Sequence, residues 1–315
     1  MSCLHPPTIE AILEARARIA GMAIRTPLVR LHVDAPCEIY LKLENLQPIG
    51  SFKLRGAANR ILQASRAEID RGVWTASAGN MAQGVAWCAR ALGVPCTVVA
   101  PDTAPAAKLD AIRRLGAAIV PVSFTEWLEV FETRAPEGME GLFVHAFSDS
   151  EVMAGNGTIG LEVLEDLPDV DALVVPYGGG GLSCGIAAAV RALKPGVRVY
   201  AAEVATAAPL TASWRAGQSV QVPYIHSFVD GIGAPRLFPE MWRLARELLD
   251  GPVVSPITEI ASAVRLLATR AHVVAEGAGA AGVAAALSGQ AGGGKIVCIV
   301  SGGNIDAGKL AEILC

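Results

Sequence analysis

Ala172-Leu173-Val174-Val175-Pro176-Tyr177-Gly178-Gly179-Gly180-Gly181-Leu182-Ser183-Cys184-Gly185 is the stretch from which the rest of the chain can be read. Its first five residues are a short apolar run of the kind buried in a parallel sheet, and a helical pattern begins at Leu182. Four consecutive glycines lie between them. They suit neither neighbouring element, because each loses more conformational entropy than alanine does. A strand, a turn and a helix in that order form the corner at which parallel α/β sheets bind ligands. Close approach of backbone to a phosphate explains the glycines best.

Working outward, the same alternation recurs. A helix is predicted after Pro6-Pro7-Thr8, carried by Ile9, Ile12, Leu13 and Ile19. Ile39 to Leu43 alternates as a half-buried strand and is broken by Gln47-Pro48-Ile49-Gly50. Strands are then predicted at 73–77, 96–100, 118–122 and 142–145, separated by helices near 80–92, 105–115 and 124–134. A second series places strands near 172–176, 198–202 and 295–300, with helices near 157–167, 182–193, 238–249, 257–270 and 278–288. The fold class is therefore α/β, with parallel sheets covered by helices on both faces.

The chain has 315 residues, enough for about two domains and a substantial core without metal or disulfide staples. Lys and Arg number 26 against 30 Asp and Glu, a net charge of −4 with no basic or acidic block. Neither a nucleic-acid footprint nor a polybasic membrane patch is present, so small-molecule chemistry is expected. Hydrophobic residues make up 52% of the chain, yet the longest uncharged stretches, Ala172 to Val190 and Gly277 to Gly294, are rich in glycine and unlike spanning helices. No secretory signal pattern opens the sequence, and its seven cysteines are odd in number without a C-x-x-C pair. A cytoplasmic protein with reduced thiols is expected.

Three further strand-end turns carry unusual chemistry. Gly50-Ser51-Phe52-Lys53-Leu54-Arg55-Gly56 puts a lysine beside an aromatic ring. A solvated surface charge is the ordinary fate of a lone lysine, but desolvation lowers its pKa and frees the amine for a Schiff base. Ser77-Ala78-Gly79-Asn80-Met81 precedes a helix whose free N–H groups can hold a carboxylate, while Asn80 offers an amide. Ser301-Gly302-Gly303-Asn304 follows the apolar run Ile296 to Val300, and a hydroxyl there can bond a heteroaromatic nitrogen.

The glycine turn also contains two imitations. Gly181-Leu182-Ser183-Cys184-Gly185 matches the G-x-S-x-G nucleophile elbow, which raises a serine hydrolase centred on Ser183 with His226 or His272 downstream. An elbow gives no reason for Gly178 to Gly180, or for the lysine and asparagine turns. Gly179-x-Gly181 with Glu203 imitates a dinucleotide fingerprint, but its third glycine is replaced by Cys184.

In their order along the chain, SFKLRG, SAGN, PYGGGGL and SGGN closely resemble the fold type II pyridoxal-phosphate enzymes, in particular the threonine dehydratase and serine racemase family. Gly155-Asn156-Gly157-Thr158-Ile159-Gly160-Leu161-Glu162 is also similar to that family. The resemblance covers nearly the whole chain. It implies pyridoxal 5'-phosphate held by Lys53 through a Schiff base, with Phe52 packed on its ring and Asn80 at its 3'-oxygen. Gly178, Gly179, Gly180, Gly181 and Leu182 would cradle the phosphate, and Ser301 would face the pyridine nitrogen. Ser77, Ala78, Asn80 and Met81 would meet the substrate, the first and third with the helix start taking its carboxylate. The implied architecture, tryptophan synthase β-like, has a large domain of about 1–50 and 150–315 and a small domain of about 51–149, with Lys53 at the cleft. A homodimer is implied as well.

The implied activity is α,β-elimination: a 3-hydroxy-L-amino acid such as threonine, serine or 3-phenylserine becomes a 2-oxo acid and ammonia. Relatives that perform β-replacement carry segments like SVKDR and TSGN, which are absent here. Amino-acid racemisation is the alternative within the family. In serine racemases the second serine of a loop like SSGN donates a proton to the face opposite the lysine; here that position is Ala78. Adjacent residues at a strand end point oppositely, so Ser77 is not expected to substitute. Many relatives have histidine after the asparagine, and Met81 in its place suits apolar substituents. Feedback-regulated relatives carry an extra C-terminal domain, and this sequence stops soon after SGGN, so that form of control is not expected. Some relatives bind a cation through an acid at the position of Glu203 and a second acid that falls at Pro209 here. Glu203 therefore stands as a lone candidate ligand or as a structural strand-end acid.

Overall fold

The computed structural model describes residues 4–134 and 139–315. In chain order its strands are β1 (Leu28–Leu31), β2 (Glu38–Lys42), β3 (Val73–Ala76), β4 (Cys96–Pro101), β5 (Ala118–Val122), β6 (Leu142–Phe143), β7 (Ala172–Pro176), β8 (Arg198–Val204), β9 (Gly251–Ser255) and β10 (Lys295–Ile299). They form two sheets, one of order β1-β2-β10-β7-β8-β9 and one of order β5-β4-β3-β6. Every pairing is parallel except β1 with β2, which is antiparallel at one edge. The α/β reading with two parallel sheets therefore holds, corrected at that edge.

Neither β1 nor β9 shows in the sequence as a long apolar run, since β1 carries Arg30 and β9 opens Gly251-Pro252. Four helices also escape the pattern: Lys53–Gln63, Arg66–Ile69, Pro209–Ala216 and Ala307–Leu314. The first matters most. Gly50 to Gly56 is only half turn, because the helix begins at Lys53 itself.

The six-stranded sheet separates two apolar clusters. Leu41, Val174, Ala202 and Cys298 point to one side, and Leu173, Val175, Ala201 and Ile299 to the other, as strand alternation requires. Helices close both faces. A further cluster, with Val85, Val98, Ile112 and Phe131, covers the four-stranded sheet.

The helix predicted near 157–167 starts earlier, at Ser150, because Asp149 caps it by accepting from the Glu151 and Val152 N–H groups. Its glycines serve contact rather than bending. A Cβ on Gly155 would come within 2.4 Å of the Arg55 carbonyl, and one on Gly157 within 2.8 Å of the Gly185 carbonyl. The helix thus lies flat between the Lys53–Gln63 and Gly181–Leu193 helices.

Buried charges stitch the same region. Arg55, 2% exposed, meets Glu44 and Glu162 at 2.8 and 2.6 Å, and Lys42 meets Glu162 at 2.6 Å. Although burial opposes charge on Glu44, Arg55 beside it holds the carboxyl below its ordinary range. Among the described residues no helix is long and apolar enough to cross a membrane.

Candidate active site

The carboxyl ends of β2, β3, β7 and β10 converge on one cavity of about 400 Å³. Its walls include Phe52, Lys53, Ser77, Ala78, Asn80 and Met81 from the first two turns. Gly178, Gly179, Gly180, Gly181, Leu182 and Ser301 complete it from the other two. The four segments singled out in the sequence are therefore brought together. Ser51 bridges to Gly302 and the Phe52 N–H donates to the Ser301 carbonyl at 3.0 Å, which ties the lysine turn to the serine turn.

Lys53 is the first residue of its helix, and its Nζ donates to the Ala146 carbonyl at 2.7 Å while lying 5.1 Å from the Phe52 ring centroid. Burial draws its ammonium down to about 8, against the opposing pull of Glu276. His145 helps to fix the carbonyl that meets it. The His145 Nδ1 accepts from the Phe147 and Ser148 N–H groups at 3.2 and 2.8 Å, holding the turn around Ala146. Burial pushes His145 down to about 3, so its ring is neutral and adds no charge beside Lys53.

The glycine turn presents donors. Among the described residues, no backbone N–H from Gly178 to Ser183 finds an acceptor in the protein. This is the arrangement that an anion at a helix N-terminus requires, so the turn fits a phosphate. Gly180 caps the helix with φ +90°, where a side chain is strained. Its neighbours are glycine for a different reason: a Cβ on Gly179 would lie 2.2 Å from the Phe147 ring, and one on Gly181 2.7 Å from the Phe147 backbone. Packing on Phe147, as well as approach to an anion, therefore keeps this turn free of side chains.

Ser183 does not make an elbow. It is fully buried in the helix and its hydroxyl donates back to the Gly180 carbonyl at 3.4 Å, with no histidine partner.

At the asparagine turn, Asn80 begins a helix without a side-chain cap, leaving its first N–H groups open to the cavity. Asn80 donates to Glu276 Oε1 at 2.8 Å and accepts from Asn304 at 2.7 Å. The alternation argument about Ser77 fails here, because β3 ends at Ala76 and both Ser77 and Ala78 line the cavity. The Ser77 hydroxyl accepts from the Gly79 N–H at 3.2 Å. Met81 reaches the cavity but is only 2% exposed and packs with the core of the four-stranded sheet.

Glu276 is the functional group that sequence reasoning missed. It precedes the uncharged run from Gly277 and starts that helix, and its carboxyl faces the cavity. Burial pushes it up to about 7, helped by Asp230. A lone acid opening an uncharged glycine and alanine run was the available signal. Glu203, by contrast, has its oxygens engaged: they accept from the Leu210 N–H at 2.8 Å, the Thr211 N–H at 2.7 Å and the Thr211 hydroxyl at 2.6 Å. Among the described residues no group of three or more potential ligands is placed to hold a metal.

A basic lysine with a lowered pKa, an anion cradle and a hydroxyl at a strand end, all on one cavity, are the parts that a phosphorylated aldehyde cofactor needs. The chain matches the family described as pyridoxal-phosphate dependent enzyme over residues 19–302. The chain belongs to this pyridoxal-phosphate dependent family. It is 42% identical to an L-threonine ammonia-lyase of Thermotoga maritima, over 98% of this chain and 78% of that protein. It is 38% identical to the catabolic L-threonine dehydratase of Escherichia coli K12, over 98% and 96%. The solved structure of maize serine racemase superimposes with a TM-score of 0.91 at 35% identity, over 98% of this chain and 97% of that one. Membership of the family makes pyridoxal phosphate the cofactor, as the sequence motifs implied.

Proposed function

We propose that this pyridoxal-phosphate enzyme is an ammonia-lyase that eliminates water from a 3-hydroxy-L-amino acid to leave an enamine, which water then hydrolyses to a 2-oxo acid and ammonia. The observation that carries the reading is the joint presence, on one cavity, of Lys53 and the unpartnered N–H groups of Gly178 to Ser183. The likeness to L-threonine ammonia-lyase and dehydratase over nearly the whole chain supports it.

In this reading Lys53 carries the cofactor, Gly178 to Leu182 hold its phosphate, Ser301 faces its ring nitrogen, and Phe52 and Asn80 flank it. The chemistry supplied by pyridoxal phosphate when bound is withdrawal of electrons from the substrate's Cα. The remaining work falls to the chain. The open N–H groups at Asn80 and its neighbours, with Ser77, orient the substrate carboxylate. Lys53 Nζ, whose pKa is near 8, takes the Cα proton, since its neutral form is accessible near neutrality. A hydroxyl at the ring nitrogen gives up no full proton, so negative charge is discharged quickly by loss of the β-hydroxyl. Glu276 holds a proton at the cavity wall close to neutral pH.

Release of 2-oxo acid from threonine, serine and 3-phenylserine tests the reaction. Failure with all three in the cofactor-loaded protein overturns it. The reading extends to a small domain of about 51–149 set into a larger one, which the β3 to β6 sheet supports, and to a homodimer in the cytoplasm. The six described cysteines are free, as a reducing compartment favours.

A further inference from the structure

This inference rests on the elimination reading and names the part of the substrate that the site selects. The chain is poor in aromatic residues, at 5%. Even so, Phe52, Phe124, Trp127 and Phe147 all line the one cavity. Along the Phe124–Thr133 helix, Phe124, Trp127 and Phe131 recur at intervals of three and four residues and so share one face. Phe124 and Trp127 are stacked at 5.8 Å and 26°, Trp127 lies 4.9 Å from Phe131, and Phe131 is stacked on Phe147 at 5.7 Å and 25°. Phe147 in turn rests on the glycine turn. A continuous row of rings therefore runs from the rim of the cavity to its floor.

Core packing explains the inner end of the row, where Phe131 is 8% exposed. It does not explain the outer end. Phe124 stands at the rim with 57% of its surface exposed, although a single exposed apolar residue elsewhere would need no account. Also lining this cavity are Met81, Thr103, Ala104, Pro105 and His226, together with Lys108 and Asp230. Lys108 and Asp230 are paired with each other, so neither offers a free charge to a polar substituent. With Lys53, Ser301 and the glycine turn committed to the cofactor, and Ser77 to Asn80 to the carboxylate, this aromatic wall, together with His226, remains for the β-substituent.

We propose that Phe124 and Trp127 receive an aryl ring, making the preferred substrate a 3-aryl-3-hydroxy amino acid. Offset stacking of a substrate ring on Phe124 adds about two- to tenfold to binding beyond the area that it buries.

The test compares 3-phenylserine, threonine and 3-hydroxyaspartate on the cofactor-loaded enzyme, by kcat/KM for 2-oxo acid release and by the absorbance change of the bound cofactor on titration. The wild type is expected to prefer 3-phenylserine. Phe124→Ala lowers the ratio of kcat/KM for 3-phenylserine to that for threonine about tenfold, mainly through KM, because the ring is remote from the reacting atoms. Phe124→Leu, which keeps an apolar side chain without a ring, gives an intermediate ratio. A wild type that prefers threonine, or a ratio unchanged in both variants, overturns the proposal. Absence of 2-oxo acid from all three substrates overturns the elimination reading instead, and the titration then ranks the three amino acids and decides the inference by itself.

Discussion

Asn80 and Glu276, 196 residues apart in sequence, are joined by a 2.8 Å hydrogen bond in which the Asn80 amide donates to Glu276 Oε1. The bond links the start of one helix to the start of another across the cavity, and only a carboxyl or amide oxygen at 276 can accept it. Burial lifts the Glu276 carboxyl from 4.5 to about 7, so the folded protein binds its proton more tightly than the unfolded chain does. The stability owed to this group is complete below pH 4.5 and is lost as pH rises through about 7. Glu276→Gln should therefore be relatively more stable at pH 8 than at pH 5, by about 1–3 kcal/mol, in urea unfolding of cofactor-free protein. An equal difference at both pH values would refute the shift.

Lys53 should be the residue modified when the loaded enzyme is reduced with borohydride, as peptide mass mapping would show. An adduct on another lysine, or full activity in Lys53→Ala, would sink the assignment. Its depressed pKa has a second consequence. The folded state binds the Lys53 proton less tightly than the unfolded chain, so stability present above pH 10.5 is lost as pH falls through about 8. Cofactor-free Lys53→Met should accordingly melt higher than the wild type at pH 7, with the gain shrinking as pH rises.

Removal of Arg55 strands two carboxylates. Glu44 is fully buried and Glu162 nearly so, and Arg55 meets both. Arg55→Met should cost about 3–5 kcal/mol in urea unfolding, because a buried charge is left without its partner. A loss below 1 kcal/mol would show that water or Lys42 takes over.

Ala78 should make the enzyme poor at inversion. It lines the cavity without a proton to donate, and in the proposed reading the neighbouring Ser77 is committed to the substrate carboxylate. Chiral analysis of serine or threonine during turnover should find elimination outrunning inversion, and inversion gained in Ala78→Ser. Inversion as fast as elimination in the wild type would contradict this.

The sheets and the site were legible to different depths. β7 and its glycine turn could be read because an apolar run and four glycines have no other economical meaning, and the Asn80–Leu92 helix coincides with its prediction. β1 and β9 were not legible: each is a short edge strand, one carrying a charge and the other a glycine and a proline, so pairing rather than pattern makes them strands. The helix at Lys53 was hidden by its own chemistry, since Gly50, Ser51 and Gly56 read as a turn. Phe124 on the cavity and His145 behind it, packed on Phe147, are placed by tertiary contacts alone, and a residue with no local motif gives no local signal.

The glycine-faced helix Ser150–Asp166 meets the phosphate turn through Asn156, whose amide donates to the Gly181 carbonyl at 3.2 Å, and it sets how far that turn stands from the lysine. It presses backbone to backbone on the Lys53–Gln63 helix through Gly155 and on the Gly181–Leu193 helix through Gly157 and Gly160. The Gly185 backbone meets Met153 as closely from the other side, with a Cβ there falling 2.3 Å from the Met153 carbonyl. The helix behaves as the jaw of a calliper closed to its stop. One methyl group added at Gly155 would wedge the lysine-bearing helix outward and open the gauge to which the cofactor's two ends must both fit.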